Sequence, residues 1–205
     1  MLISINPVEP ESWLVARAAE IIRRGGVAVV PTDTVYGFAC LVSQDDAIRR
    51  IYKLKNLDAN KPLALLVKDM PAIGRYARGI SNPAFRMMKR VLPGPYTFIF
   101  RSTPEVPKIM LRKRKTIGIR YPDNVILIAL LNELDEPLMT TSIRTPDDDF
   151  ISDPLTIDDI YGRKVDLVVD GGPLAPDPST VVDFTSDVAE LIRSAKGDVD
   201  ALDLF

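Results

Sequence analysis

Pro31-Thr32-Asp33-Thr34-Val35-Tyr36-Gly37 sits between two apolar runs, Val27-Ala28-Val29-Val30 and Phe38-Ala39-Cys40-Leu41-Val42. Two short apolar runs joined by a hydroxyl-rich turn predict a strand, an elbow and a return strand. Pro31 lacks a backbone donor and has a fixed φ, so the chain leaves the first strand at a defined angle. Gly37 allows another group to approach closely where the second strand begins. Thr32, Thr34, Tyr36 and the carboxylate of Asp33 form a set suited to gripping a small polar ligand. The same hydroxyls also suit a turn that merely satisfies its own backbone.

Outward from the elbow, helical and extended patterns intermix. Residues 12–24 read as an amphipathic helix stopped by Gly25-Gly26, and Asp45-Asp46 opens a second helix with Ile48, Ile51 and Leu54 inward. Residues 70–77 form a short helix. Asn82-Pro83 reads as an N-cap and first-turn pair for a helix ending at Pro93-Gly94, and Asp123 or Asn124 starts an apolar helix over 125–134. A further short helix lies near 156–161. Besides the two elbow runs, strand patterns fall at 63–67, 98–100, 116–120, 138–143, 165–169, 180–184 and 189–194. Several are adjacent without a helix between them, which predicts an α/β fold: a mixed sheet flanked by helices in three layers, in one domain over 1–205.

The 205 residues are 46% hydrophobic, enough to bury a core, and no apolar run is long enough to span a bilayer. A single cysteine, Cys40, lies in an apolar run, excludes an internal disulfide and points to a reducing, cytoplasmic setting and to core packing. With no histidine, a Ser/His/Asp triad and the commonest zinc sites are excluded. The net charge of −2 conceals a division, since residues 1–120 hold 21 Lys/Arg against 9 Asp/Glu and the remainder carries the acidic excess. Such segregation means either a cationic surface for an anionic partner or two halves attracting each other across the fold.

In folds of this kind ligands gather beyond strand ends. The polar residues there are Thr32, Thr34, Tyr36, Lys55, Lys61, Thr97, Arg120, Thr140, Ser142, Ser179, Thr180 and Arg193. Hydroxyls and cations of this sort suit a phosphate or a carboxylate, and Arg120 at the end of its strand suits bidentate capture of a carboxylate. Neither a Walker-A motif nor GxGxxG is present, so a nucleotide needs another cradle; the Pro93-Gly94-Pro95 turn offers the N–H groups of Gly94 and Tyr96, and a helix stop explains it equally well. Arg112-Lys113-Arg114-Lys115 suits RNA phosphates or is a solvated loop without interleaved aromatics. Asp147-Asp148-Asp149 reads as a solubilising loop or a weak cation attractor.

Taken together, the elbow, Lys61-Pro62-Leu63, Pro93 to Thr97, Gly118-Ile119-Arg120-Tyr121-Pro122, Thr141-Ser142, Pro178 to Asp183 and Ile192-Arg193 resemble the YrdC/YciO family over nearly the whole chain, with the basic loop closest to the YciO branch in its single-domain form. The resemblance implies a twisted mixed sheet of about seven strands with a concave, positive face. It also implies a nucleotidyltransferase that makes L-threonylcarbamoyladenylate from L-threonine, bicarbonate and ATP with Mg²⁺, releasing pyrophosphate, for N6-threonylcarbamoylation of adenosine 37 in tRNA. Thr32, Thr34, Tyr36, Arg120 and Ser179 would surround the substrate. Lys55, Lys61, Thr97, Thr140, Ser142 and Arg193 would surround the nucleotide, with Lys55 and Arg120 in catalytic roles. Two departures weaken the nucleotide end: the family's Lys-x-Arg is Lys55-Asn56-Leu57 here, and its Ser-x-Asn is Ser142-Ile143-Arg144. The alternative is a protein of the same branch that binds double-stranded RNA, tRNA or rRNA without synthase activity.

Overall fold

The elbow joins β2 (Ala28–Val30) to β3 (Gly37–Leu41), which pair antiparallel with Val30 opposite Gly37. All eight residues are buried, as continuous apolar runs in a sheet covered on both faces require. The computed structural model describes residues 1–56, 63–111, 115–145, 149–186 and 188–204.

Among the described residues nine further strands join the same sheet: β1 (Leu2–Ser4), β4 (Ala64–Leu66), β5 (Ala77–Arg78), β6 (Tyr96–Ser102), β7 (Thr116–Arg120), β8 (Leu138–Ser142), β9 (Leu167–Asp170), β10 (Thr180–Asp183) and β11 (Glu190–Arg193). The order is β1-β9-β2-β3-β8-β4-β7-β6-β10-β11, with β5 added beside β6. Parallel pairs (β1·β9, β2·β9, β4·β7, β6·β10) are mixed with antiparallel ones. The mixed, three-layer α/β architecture is the expected one, but among the described residues eleven strands replace about seven. Three-residue β1 and two-residue β5 carry too short a pattern to register as periodicity.

Helices cover the two faces unequally. Buried side chains of α2 (Asp45–Leu54), α3 (Met70–Tyr76), α4 (Asn82–Val91), α5 (Lys108–Leu111) and α7 (Pro154–Tyr161) join a large core with Phe38, Phe98, Phe100, Ile117, Ile119 and Met139. On the opposite face α1 (Ser12–Arg23) and α6 (Val125–Leu134) pack over Ala28, Val30, Ala39, Leu41, Leu138, Leu167 and Leu66. Cys40 is buried, and burial pushes its thiol up to about 12, so it packs the core and stays a thiol.

Helix starts follow local chemistry, with one difference from expectation. Ser81, not Asn82, caps α4, its hydroxyl accepting from Ala84 N–H at 3.3 Å; Asn82 is already helical because Pro83 fits the first turn. Asn124 caps α6, accepting from Leu127 N–H at 2.9 Å, and its amide also donates to the Thr32 carbonyl at 3.3 Å. The charge division is met partly within the fold: Arg23–Glu133, Arg50–Asp166, Lys68–Asp135 and Arg90–Asp203 pair basic and acidic halves. These are largely exposed pairs of small energetic weight.

Since Asn124 ties α6 to the elbow as well as capping it, Asn124→Ala should cost about 1–2 kcal/mol. In urea unfolding this is a lower midpoint at unchanged slope.

Candidate active site

Side chains alternate across a strand, so the residues between those of the large core face the other way. In β6 the core takes Phe98 and Phe100, leaving Thr97 and Ile99 half-buried on the opposite face. Gly118 and Arg120 of β7, Ala64 of β4, and Thr140 and Ser142 of β8 lie on that same face. There α1 and α6 reach no farther than Leu66 and Leu138. Half of one sheet face is therefore floored by small and hydroxyl residues instead of by a helix. Gly37 and Gly118 keep it low. A Cβ on Gly37 would come within 2.8 Å of Thr140 Oγ1, and one on Gly118 within 3.1 Å of Thr97 Cγ2.

At the border of this open face, the elbow grips Arg120. Its Nη2 donates to Asp33 Oδ1 at 2.5 Å and to Thr34 Oγ1 at 2.9 Å, with the two charged side chains only 8% and 6% exposed. Asp33 Oδ2 also accepts from Asp123 N–H at 3.2 Å. Proton accounting explains the threonines. Thr32 spends its only hydroxyl proton on Val35 O at 2.8 Å and accepts from Thr34 N–H at 3.0 Å. The 2.9 Å contact between the two hydroxyls therefore has Thr34 as donor, and Thr34 accepts from Arg120. Thr32 thus satisfies the turn, and Thr34 orients the guanidinium. Arg120 Nε is left buried and without a partner among the described residues. Burial holds the Arg120 guanidinium below its usual value, Asp33 opposes this, and Arg193 adds repulsion.

Two other groups meet the open face. Thr97 and Ser179 share a hydroxyl contact of 2.8 Å, and Arg193 clamps the Ser179 carbonyl through Nε (2.9 Å) and Nη2 (2.7 Å). Register explains the meeting: Arg193 pairs with Val181 and Val181 with Thr97, while Arg120 follows Ile119, the partner of Phe98. At the end of β8, Lys55 Nζ donates to the Ser142 carbonyl and to Thr141 Oγ1 (3.2 Å). Arg144, two residues beyond Ser142, lies 4.0 Å over the Phe150 ring. Burial and then the charge of Arg144 lower Arg193, so three guanidiniums lie within electrostatic reach in sequence, Arg120 to Arg193 to Arg144. With Arg120 paired to Asp33, Arg193 is the guanidinium of this face that bonds a neutral carbonyl, and a cation so placed suits an anion with charged oxygens.

Other expected residues lie elsewhere or are already engaged. Tyr36 points into the large core, where its hydroxyl donates to Gly172 O (2.7 Å) and accepts from Gly171 N–H (3.0 Å). Burial pushes this phenol up to about 12, so it is a tether for the loop after β9 rather than a wall of the Arg120 pocket. Thr140 donates to Phe38 O at 3.0 Å. The N–H groups of Gly94 and Tyr96 are spent on Tyr121 O and Gly94 O, so the 93–95 turn is a helix stop, not a nucleotide cradle. Lys61, Leu57, Arg112, Lys113, Arg114, Asp147 and Asp148 lie outside the described residues. Lys115 precedes β7, at the end opposite Arg120, with its carbonyl accepting from Ser102. Sequence reasoning missed the Asp33–Arg120 pair and Lys196, whose Nζ donates to Asp33 O at 2.6 Å.

Among the described residues no three His, Cys, Asp or Glu side chains gather as a metal-holding group. The donors facing the open face are hydroxyls and cations, which fit phosphate oxygens; Mg²⁺ fits this face only as a companion of a nucleotide's phosphates. Open hollows lie elsewhere, one of about 310 Å³ between Lys68, Tyr76 and Pro137, another of about 400 Å³ between Asn6, Glu11 and Gly172.

A family model described as "Telomere recombination" and spanning the Sua5, YciO and YrdC proteins matches residues 20–195. The chain is 42% identical over 197 residues to the Escherichia coli protein YciO, described as uncharacterized, across 95% of both chains. It is 31% identical over 192 residues to human threonylcarbamoyl-AMP synthase, covering 92% of this chain and 68% of that one. The crystal structure of E. coli YciO superposes with a TM-score of 0.93 at 40% identity over 98% of each chain. Pyrococcus abyssi Sua5 complexed with L-threonine superposes with a TM-score of 0.89 at 26% identity, over 95% of this chain and 57% of that one.

Removing one partner of the buried pair strands the other. Asp33→Asn should destabilise the protein by about 3 kcal/mol or more, and a double-mutant cycle with Arg120→Met should recover much of that loss. Additive losses in denaturant unfolding would refute the coupling.

Proposed function

Because the chain belongs to the Sua5/YciO/YrdC family, we propose that its open face binds L-threonine and an adenine nucleotide. There it forms threonylcarbamoyladenylate from L-threonine, bicarbonate and ATP, at a rate held down by an altered nucleotide end. One observation carries the reading: among the described residues Arg120 Nε is a buried donor without a partner at the edge of an open face, on a guanidinium already oriented by Asp33 and Thr34. A buried donor without a partner costs about 1–3 kcal/mol, and a ligand carboxylate removes that cost. The L-threonine complex of the P. abyssi relative supports the choice of ligand.

The chemistry divides between two ends. At the Arg120 end the amino acid is held so that its amine attacks the carbon of bicarbonate; an N–C bond forms, water leaves, and the product is a carbamate. A carbamate oxygen then attacks the α-phosphorus of ATP, the new O–P bond forms, the α–β bridging bond breaks, and pyrophosphate departs. Positioning and cationic stabilisation carry most of such a barrier. Arg193 and Lys55 supply cations, and Thr97, Ser179 and Ser142 supply hydroxyls. Bound with ATP, Mg²⁺ would neutralise charge on the phosphates that these cations and hydroxyls hold. Leu57 cannot replace the family's arginine as a phosphate partner, whereas Arg144, held over Phe150 and within reach of Arg193, adds a cation at the same end. The site thus keeps its amino-acid end closer to the family pattern than its nucleotide end.

Pyrophosphate release should require L-threonine, bicarbonate and MgATP together. Arg120→Lys keeps the charge and loses the planar fork, so it should lower the rate by roughly 100-fold or more and, because the fork also holds Asp33 and Thr34, lower the thermal midpoint as well. Release that ignores threonine, or none from the wild type at millimolar ligands, would refute the reading.

A further inference from the structure

The segment after β11, Ser194-Ala195-Lys196-Gly197-Asp198, is pinned along its backbone. Ala195 N–H donates to Thr180 Oγ1 at 3.0 Å and Lys196 N–H to Pro178 O at 3.1 Å. Thr180 in turn donates to Gly197 O at 2.7 Å, and the Tyr96 hydroxyl donates to Asp198 O at 3.0 Å. Gly197 lies so close to the Tyr96 ring that a Cβ there would meet it at 2.5 Å. From this fixed base the exposed Lys196 side chain crosses to the elbow, 163 residues away, and ends on the Asp33 carbonyl at 2.6 Å.

Charge counting gives that crossing its meaning. The carboxylate of Asp33 is consumed by Arg120 and Asp123 N–H, so the buried pair is neutral. Lys196 is then the charge that leaves this end of the open face positive. Its present partner is a neutral carbonyl, and an ammonium gains more from a carboxylate. We infer that Lys196 binds the carboxylate of the amino-acid substrate, exchanging the Asp33 carbonyl for one carboxylate oxygen while Arg120 Nε takes the other. The inference rests on the proposed function and adds to it a residue one position beyond the span that the family model matches.

The test is calorimetric titration of wild type, Lys196→Met and Lys196→Arg with L-threonine and with L-threoninol, which keeps amine and hydroxyl but has no carboxylate. Lys196 is exposed, so thermal midpoints of all three proteins should agree. Lys196→Met should weaken L-threonine by roughly tenfold or more and leave L-threoninol nearly unchanged, with Lys196→Arg recovering most of the loss. Equal weakening of both ligands would make Lys196 a strut for the elbow and overturn the inference, as would unaltered threonine affinity. A wild type that binds neither ligand overturns the proposed function and this inference with it. A wild type that binds threonine while Lys196→Met binds it equally well overturns the inference alone.

Discussion

The Arg120–Asp33 pair is the constraint from which the rest of the site follows. One end stands on the elbow between β2 and β3 and the other on β7, with β8 and β4 lying between β3 and β7. Taking both charges out of water is costly, and the cost is recovered only if the geometry is good and the remaining oxygens and protons find partners. The surrounding residues meet that demand. Thr34 accepts the second Nη2 proton, Asp123 N–H supplies Asp33 Oδ2, and Asn124 binds the Thr32 carbonyl while capping α6. The elbow, the end of β7 and the start of α6 are thereby fixed by one set of contacts, which leaves the Nε donor of Arg120 buried without a partner among the described residues.

Unequal helix coverage turns this fixed point into a site. Had a helix covered the other half of the face, Thr97, Gly118 and Ser142 would line a dry interface, and the hydroxyls would need partners within the fold. Instead they stay half-open, with Arg193 and Arg144 at hand. The Ser179 carbonyl under Arg193 holds that cation in place without neutralising it, and the charge of Arg144 acts on Arg193 from beside it. Stored like-charge repulsion of this kind is relieved by an anion, and it is the electrostatic counterpart of the unpartnered donor on Arg120.

Much of the architecture was legible because it is written locally. The elbow and its two strands follow from apolar runs around a proline and a glycine, and helix starts follow from Asn124, Ser81 and Pro83 within one residue. The shortest strands carried no pattern to read. Long-range pairs are the other blind spot: nothing local to Asp33 announces a partner 87 residues away, and nothing local to Lys196 announces a reach of 163. Tyr36 illustrates a third difficulty. Its place in a ligand-suited signature says nothing of side-chain direction, and the turn sends the phenol into the core while Thr34 faces Arg120.

The half-covered sheet also separates two kinds of sensitivity along one strand. In β7, Ile117 and Ile119 fill the large core while Thr116 and Gly118 floor the open face. A residue-by-residue scan of that strand would read durability at one position and chemistry at the next, with a period of two. Arg120 closes the strand where the two registers merge, so the fold's cohesion and its reactivity share a residue there and cannot be tuned apart.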